Sequence, residues 1–244
     1  LCFASKILKI KIFLFEPNMV IGRSNKIFLR SCEKIFCYSE EIKNFPKKYI
    51  NKIKVIPALL RKTFYETEKV DDINDYINLL VIGGSQGAKI FDTLLKKSII
   101  KLSKRYSLKI YQQTSSVNFE NLKKFYKDND IAYELFDFNE NISNLMSRSN
   151  ICLTRAGAST LAEAVFLNLP CVVVPLPTSK DNHQFENAVF YNKIGCNWII
   201  NQNEIYDETI ANKLVNIIDN KEEYLTKKIN MKNFSFQNTW NNIN

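Results

Sequence analysis

The chain has 244 residues, of which 45% are hydrophobic and 24% charged, and its formal net charge is +9 at pH 7. This composition is typical of a folded protein and excludes a disordered or collagen-like chain. No run of 18 uncharged apolar residues is present, which argues against a bilayer-spanning helix. The lysines are scattered without interleaved aromatic residues, so an anionic surface is a possible partner and sequence-specific nucleic-acid binding is not predicted. The six cysteines form no CxxC pair, which predicts buried reduced thiols without zinc or disulfides.

The first 60 residues predict the tail of an α/β domain. Lysines interrupt the apolar stretch from Leu1 to Phe15, so we interpret it as a strand with its approach and not as a signal peptide. The chain starts with Leu, which suggests that the start of a longer reading frame is absent. The predicted elements are a strand at 10–15, a helix at about 23–34 and strands at 35–38 and 53–56. A sheet of two or three strands cannot bury both of its faces alone. The segment 1–60 is therefore expected to be the tail of a larger, N-terminal domain.

The next segments are predicted to be a linker, a complete domain and a tail. The linker covers 61–77 and includes a charged stretch. In the domain at 78–226, short apolar runs alternate with stretches of helical period, a pattern typical of a doubly wound parallel sheet. The Asn-rich segment 227–244 is expected to be weakly ordered. The predicted strands of the domain are 78–82, 108–112, 131–136, 151–153, 171–174 and 198–200. The predicted helices are 88–102, 117–129, 141–148, 159–167, 182–194 and 204–219.

A glycine-rich turn follows the first strand of this domain. Gly83-Gly84-Ser85-Gln86-Gly87-Ala88 lies between that strand and a helix. Backbone amides and the positive helix end converge in such a turn, which suits a diphosphate. A tight turn without a ligand is the alternative. The motif is not G-x-G-x-x-G and no acidic residue ends the next strand, so a dinucleotide oxidoreductase is disfavoured.

A second turn of small residues surrounds Gly157 and Ala158, again between a strand and a helix. Glu163 follows Gly157 by about one and a half helical turns. A carboxylate there can accept both hydroxyls of a ribose, and the helix dipole favours its charge. A solvated helix carboxylate is the alternative interpretation.

Polar side chains also follow the fifth strand of the domain. His183, which is the only histidine in the chain, lies next to Gln184, and Asn187 follows one turn later. Such donors at the carboxyl edge of a parallel sheet can bind sugar hydroxyls. A histidine that only makes a hydrogen bond at the helix N-terminus is the alternative.

These motifs, in this order and at these strand ends, closely resemble those of the MurG family of GT-B glycosyltransferases. Phe15-Glu-Pro-Asn18, followed by Gly22 and Asn25, resembles the H-E-Q-N…G…N segment of the family, and Pro57-Ala-Leu-Leu-Arg61 resembles its G-N-P-V-R. The resemblance covers nearly the whole chain. The family's N-terminal G-G-T-G-G-H segment has no counterpart in it, and Phe15, Pro17 and Pro57-Ala58 depart from the family motifs. These departures concern the acceptor half.

The resemblance implies a role for each motif residue. The turn at Gly84, Ser85, Gln86 and Gly87 would hold the diphosphate, with Arg61 nearby. The backbone at Phe138 and Asn139 would pair with uracil. By position, the residues implied to bind substrate are Asn18, Arg61, Gly84, Ser85, Gln86, Gly87, Asn139, Gly157, Ala158, Glu163, His183, Gln184 and Asn187. Among them, Glu163 would bind the ribose, and Gln184 with His183 and Asn187 would contact the N-acetylglucosamine.

The resemblance also implies the reaction. An inverting transferase would move N-acetylglucosamine from UDP-N-acetylglucosamine to undecaprenyl-linked lipid I, forming lipid II for peptidoglycan synthesis, cell shape and division. No metal or other cofactor is expected, and no D-x-D motif or histidine–carboxylate cluster follows a strand end in the second half. No residue of the chain is assigned as the general base. The location implied is the cytoplasmic face of the bacterial inner membrane, as a peripheral protein.

Three alternatives remain because much of the acceptor domain has no counterpart in the chain. The chain is a transferase, represented as a fragment or translated from a longer frame. Otherwise it is a donor-binding module without activity, or one subunit of a two-chain enzyme whose partner supplies the other half.

Overall fold

The computed structural model describes residues 2–70, 72–73, 76–83, 88–206 and 208–239. The α-helices are α1 (Cys2–Ile7), α2 (Arg23–Phe28), α3 (Lys62–Tyr65), α4 (Ala88–Leu94), α5 (Lys96–Ser103), α6 (Phe119–Asp128), α7 (Ile142–Ser147), α8 (Ala158–Leu167), α9 (His183–Lys193), α10 (Thr209–Asp219) and α11 (Lys221–Ser235). The strands are β1 (Phe13–Glu16), β2 (Lys34–Cys37), β3 (Ile53–Val55), β4 (Tyr76–Ile82), β5 (Ser107–Gln113), β6 (Ala132–Phe136), β7 (Ile151–Thr154), β8 (Cys171–Val173) and β9 (Asn197–Ile199).

The larger sheet is parallel and has the strand order β6-β5-β4-β7-β8-β9 within the described residues. Alternate residues of its central strand β4 point to opposite faces, as the twofold period of a strand requires. Leu79 and Val81 pack into one apolar core with α4, α5, α6 and α10, whereas Leu80 and Ile82 pack into a second core with α7, α8 and α9. Both faces are therefore covered by helices, and the predicted doubly wound α/β domain is confirmed.

The smaller sheet, β1-β2-β3, is also parallel. Its inward side chains, including Leu14 and Ile35, form a third core. Ala162 from α8 and Phe190 from α9 also pack in this core. Helices of the larger lobe therefore complete the core of the smaller lobe, which three strands could not build alone.

The strand order of the larger sheet reverses at β4 and β7. The chain proceeds from β4 outward through β5 and β6, returns to β7 beside β4, and then proceeds outward in the other direction. In open parallel sheets, ligands bind outside the carboxyl ends of the strands at such a switch point. The loops that begin at Gly83 and Arg155 lie at this position. The fold therefore predicts that a ligand site lies at these loops.

The structure differs from the sequence predictions at both ends and in the linker. Residues 2–7 form α1 where an approach to a strand is predicted, and β1 begins at Phe13. The segment 61–77 contains α3, whose Phe64 is fully buried. The segment 227–244 starts inside α11, which extends to Ser235 and buries Met231 against the second core. In the described part of these segments, the helices pack through apolar contacts with residues far away in the chain, and local periodicity does not reveal such contacts. None of the described helices is both long enough and apolar enough to cross a bilayer.

Candidate functional site

Helix α8 brings Glu163 to the switch point. β7 is completely buried and ends at Thr154, and Gly157 has an extended conformation (φ −67°) as the residue that precedes the helix. The N–H of Leu161 donates to the Gly157 carbonyl at 3.0 Å, which closes the first turn. Thr160 and Glu163 are three residues apart and so lie on one face of α8. Both line a cleft at the carboxyl edge of the sheet.

This cleft combines predicted site residues with residues that were not predicted. Arg61, Asn139 and Glu163, which are far apart in the sequence, line it together. Phe136 and Met146 supply apolar walls. A flat, partly apolar ligand with polar edges therefore fits the chemistry of the lining.

Glu163 and Arg61 form an ion pair inside the cleft. The distance from Arg61 Nη2 to Glu163 Oε1 is 3.2 Å, and the side chains are 50% and 12% exposed, respectively. Burial raises the pKa of the Glu163 carboxyl, and the charge and hydrogen bond of Arg61 act in the opposite direction. The site thus holds a buried carboxylate whose ionised form depends on its arginine partner.

The loop after β6 borders the same cleft. The Asn141 N–H donates to Asn139 Oδ1 at 2.7 Å, so the Asn139 side chain is used to hold the loop. Phe138 is exposed at the cleft, where both it and Asn139 form part of the lining. A side chain that is engaged in its own loop leaves the backbone as the group that can meet a ligand.

A second cavity lies between the two lobes. Asn18, Gly22 and His183 line it together with Asp181, whose carboxylate accepts two hydrogen bonds from Arg23 at 2.9 and 2.8 Å. This cavity brings two predicted sugar-binding residues, from opposite lobes, to one place.

The turn that precedes α9 orients His183 and Gln184. Asp181 and Asn182 both have positive φ values, 53° and 57°. His183 Nδ1 lies 2.8 Å from the Lys180 carbonyl. Gln184 Oε1 accepts a hydrogen bond from the Leu176 N–H at 3.0 Å. The Nε2 group of Gln184 is therefore the part of the side chain that can donate to a ligand.

Asn187 is buried between the lobes and is only 1% exposed. Its Oδ1 accepts the Met19 N–H at 2.8 Å, and its Nδ2 donates to Asn18 Oδ1 and to the Ala156 carbonyl, both at 3.1 Å. The sequence predicts that Asn187 contacts the sugar. In the structure, its amide is used by two hydrogen bonds that cross to the smaller lobe, to Met19 and Asn18, and by one within the larger lobe, to Ala156.

Four predicted residues of the diphosphate turn, Gly84, Ser85, Gln86 and Gly87, lie outside the described residues. The residues on either side of them are described. β4 ends at Ile82, and the Gly83 N–H donates to Gln113 Oε1 at 3.2 Å. The turn therefore starts beside the cleft that Glu163 lines.

Three polar residues received no role in the sequence analysis. Glu16 is buried and accepts hydrogen bonds from the Gly22 N–H at 2.7 Å and from the side chains of Asn18 and Asn25. Arg155 is buried at the end of β7 and donates to the Val174 carbonyl at 2.9 Å. Glu16 is the last residue of β1 and Arg155 directly follows β7, so a charged residue at the carboxyl end of a strand was the available signal for both of them. Gln113, the third, carried no such signal.

A family model described as the glycosyltransferase family 28 C-terminal domain matches residues 78–243, which are more than half of the chain. The chain belongs to glycosyltransferase family 28. The matched segment contains the larger sheet apart from the first two residues of β4, together with α8 and the cleft residues except Arg61.

Two curated members of this family show how much of the protein the chain represents. A UDP-N-acetylglucosamine–N-acetylmuramyl-(pentapeptide) pyrophosphoryl-undecaprenol N-acetylglucosamine transferase from Pelagibacter ubique (strain HTCC1062) is 64% identical over 244 residues, which are all of this chain and 68% of that protein. The transferase of the same name from Rickettsia bellii (strain RML369-C) is 32% identical over 225 residues, covering 89% of this chain and 63% of that protein. The chain thus spans about two thirds of the length of these family 28 relatives.

Solved structures support the fold. The crystal structure of Acinetobacter baumannii MurG matches with a TM-score of 0.77 and 23% identity, covering 95% of this chain and 65% of that one. The structure of Phytolacca americana UGT2 complexed with UDP-2fluoro-glucose and pterostilbene matches with a TM-score of 0.64 and 15% identity, covering 96% and 68%. The GT-B fold predicted for this family 28 chain is therefore confirmed.

Proposed function

We propose that the chain transfers N-acetylglucosamine from UDP-N-acetylglucosamine to undecaprenyl-linked lipid I, which forms lipid II in peptidoglycan synthesis. The observation that carries the proposal is the Arg61–Glu163 pair in a partly apolar cleft at the sheet switch point. The names of the family 28 relatives support the choice of donor and acceptor. The same proposal includes a role in cell shape and division, through peptidoglycan synthesis.

The cleft suits the uridine half of the donor. Glu163 would accept both ribose hydroxyls, and the backbone at Phe138 and Asn139 would pair with uracil. Arg61 pairs with Glu163, which lines the cleft with it, and half of its side chain is exposed. Arg61 can therefore turn its permanent charge toward a diphosphate that binds at the turn after Gly83.

The sugar half would occupy the cavity between the lobes. His183 and Asn18, which line this cavity from opposite lobes, would bind its hydroxyls together with the amide group of Gln184, the residue that follows His183. Asn187 would hold the side chain of Asn18 in place through the hydrogen bond to Asn18 Oδ1 while the lobes are in contact. Gly157 and Ala158 would let the ligand approach the start of α8, because neither carries a bulky side chain.

In the reaction, an acceptor hydroxyl forms a bond to C1 of the sugar on the face opposite the leaving group. The bond from C1 to the diphosphate oxygen breaks, UDP leaves with the electron pair, and a base takes the hydroxyl proton. Backbone amides of the glycine-rich turn and Arg61 would stabilise the charge that grows on the diphosphate, and they act most strongly in the transition state. No described residue is assigned as the base.

The proposed location is the cytoplasmic face of the inner membrane, where a net charge of +9 favours an anionic surface. A second candidate is a donor-binding subunit that works with another polypeptide. β1 forms an edge of the smaller sheet, and its Phe13 and Phe15 are 52% and 40% exposed. An exposed apolar edge strand is a surface that another chain segment can cover.

Two measurements test the proposal. Calorimetric titration should show that the chain binds UDP-N-acetylglucosamine, and that Glu163→Ala weakens binding by about 1–3 kcal/mol, the range for hydrogen bonds to a charged group. The control is Glu120→Ala, an exposed helical carboxylate that pairs with Lys123. Transfer of labelled N-acetylglucosamine to a lipid I analogue then separates the candidates. Turnover by the chain alone supports the transferase, and binding without turnover supports a chain that only binds the donor, either as a module without activity or as one subunit of a two-chain enzyme. Equal affinity of the wild type and Glu163→Ala for UDP would refute the ribose assignment.

A further inference from the structure

Gln113 connects the two loops that would hold the nucleotide. It is the last residue of β5, which lies between β4 and β6 in the sheet. Its Oε1 accepts the N–H of Gly83 at 3.2 Å, and its Nε2 donates to the carbonyl of Asp137 at 3.0 Å. One amide thus spans from the loop after β4 to the loop after β6.

The backbone that carries Gln113 is held by a buried polar network. Asp92 of α4 is only 4% exposed and accepts hydrogen bonds from Gln112 Nε2 at 2.8 Å and from Thr114 Oγ1 at 2.9 Å. The Thr114 N–H also donates to the Phe136 carbonyl at 2.8 Å. The residues on both sides of Gln113 are therefore anchored, so its side chain has a fixed origin. A fully satisfied buried network of this kind is rigid.

Both loops matter for the proposed ligand. Gly83 immediately precedes the diphosphate turn, and Asp137 immediately precedes the backbone at 138–139 that would pair with uracil. Gln113 itself lines the cleft with Glu163. Its two hydrogen bonds set the distance and angle between the part of the site that meets the base and the part that meets the phosphates.

We propose that Gln113 is a positioning residue that gives the site its preference for uracil over cytosine. The inference rests on the proposed function, since it concerns the same nucleotide site. Uracil presents an N–H donor and a carbonyl acceptor where cytosine presents an acceptor and an amino group, so a correctly placed backbone donor and acceptor reject cytosine. A backbone that shifts when the Asp137 tether is lost no longer imposes this choice.

The test is nucleotide selectivity. Calorimetry with UDP and CDP gives the ratio of the two dissociation constants for the wild type and for Gln113→Met, which keeps the length of the side chain and removes both hydrogen bonds. We expect the preference for UDP to fall about three- to tenfold, which corresponds to the loss of roughly one neutral hydrogen bond. Gln113→Asn, which is one methylene shorter, provides the same readout if the methionine variant does not fold.

The control is Thr93→Val, which changes an exposed residue of α4 that does not line the cleft. This variant should leave the ratio unchanged. If Gln113→Met weakens UDP and CDP by the same factor, Gln113 only supports the fold and the inference is wrong. A wild type that binds neither nucleotide refutes the proposed function itself, and a wild type that binds UDP and CDP equally refutes the inference alone.

Discussion

Arg61 and Glu163 are 102 residues apart in the sequence, and their side chains meet at 3.2 Å. Arg61 precedes α3 in the segment between the lobes, and Glu163 lies in the middle of α8. The pair therefore joins this segment to the helix that lines the cleft. Because the Glu163 carboxyl is mostly buried, its charge and its hydrogen bonding depend on what Arg61 does.

The first prediction is that Arg61→Met lowers affinity for UDP and makes it more dependent on pH. The variant removes a positive charge from the cleft and leaves the Glu163 carboxylate without its partner, so the pKa of Glu163 rises further. The expected loss is about 1.5–3 kcal/mol at neutral pH. Titrations at pH 6 and pH 8 measure it. Arg105→Met, which removes a surface ion pair with Asp219, serves as the control. Identical UDP affinity in the wild type and Arg61→Met would contradict the role.

The second prediction is that Glu163→Gln stabilises the fold while it weakens UDP binding. Burial raises the pKa of Glu163 above its usual value of 4.5. The unfolded chain therefore releases this proton at a lower pH than the folded protein, so the wild type loses stability as the pH rises through this window. A glutamine at this position does not ionise, so the Glu163→Gln variant does not lose this stability as the pH rises.

Thermal unfolding at pH 4 and pH 7 tests this second prediction. The melting temperature of Glu163→Gln minus that of the wild type should be larger at pH 7 than at pH 4. Shared carboxylates elsewhere titrate equally in both proteins, so the difference isolates residue 163. A difference of the opposite sign would show that Arg61 outweighs burial.

The third prediction concerns the contact between the lobes. Asn187→Ala leaves the Met19 N–H and the Ala156 carbonyl without their side-chain partner in a buried place. Each unsatisfied buried group costs about 1–3 kcal/mol. Urea unfolding should show the decrease in the free energy of unfolding, whereas the exposed Asn203→Ala should show almost none. An unchanged unfolding midpoint for Asn187→Ala would mean that water or a shifted backbone replaces these bonds.

The fourth prediction is that Lys69 causes the free energy of unfolding to increase at alkaline pH. Its Nζ donates to the Phe166 carbonyl and lies 3.2 Å from the centre of the Phe166 ring. Burial lowers the pKa of Lys69 from 10.5 to about 8. The unfolded chain therefore holds this proton to a higher pH than the folded protein, and stability rises as the pH increases from about 8 toward 10.5.

Urea unfolding at pH 7 and pH 10 tests the fourth prediction with Lys69→Met. The wild type should gain stability relative to this variant between the two pH values. Lys127→Met, an exposed lysine at the end of α6, should show no such relative change. A constant difference between the wild type and Lys69→Met would place Nζ in water.

The alternation of apolar runs and helical stretches was sufficient to predict the doubly wound sheet. Strands such as β7 are buried on both faces, so their sequences are continuously apolar and visible without any tertiary information. The glycine-rich turn and the segment from Gly157 to Glu163 were also visible, because the positions of turns at strand ends follow from the same alternation. Local signals therefore located the candidate site along the chain.

The hydrogen-bond partners that are distant in the sequence are determined by the tertiary structure. Nothing near Asn187 indicates that its amide meets Met19 and Asn18, and nothing near Gln113 indicates that its amide meets Gly83 and Asp137. A side-chain hydrogen bond forms only where the fold places two groups within about 3 Å, and periodicity holds no information on that distance. The sequence by itself determined which strand ends carry polar groups. Only the packed lobes decided which of those groups line a cavity and which form hydrogen bonds that hold the protein together.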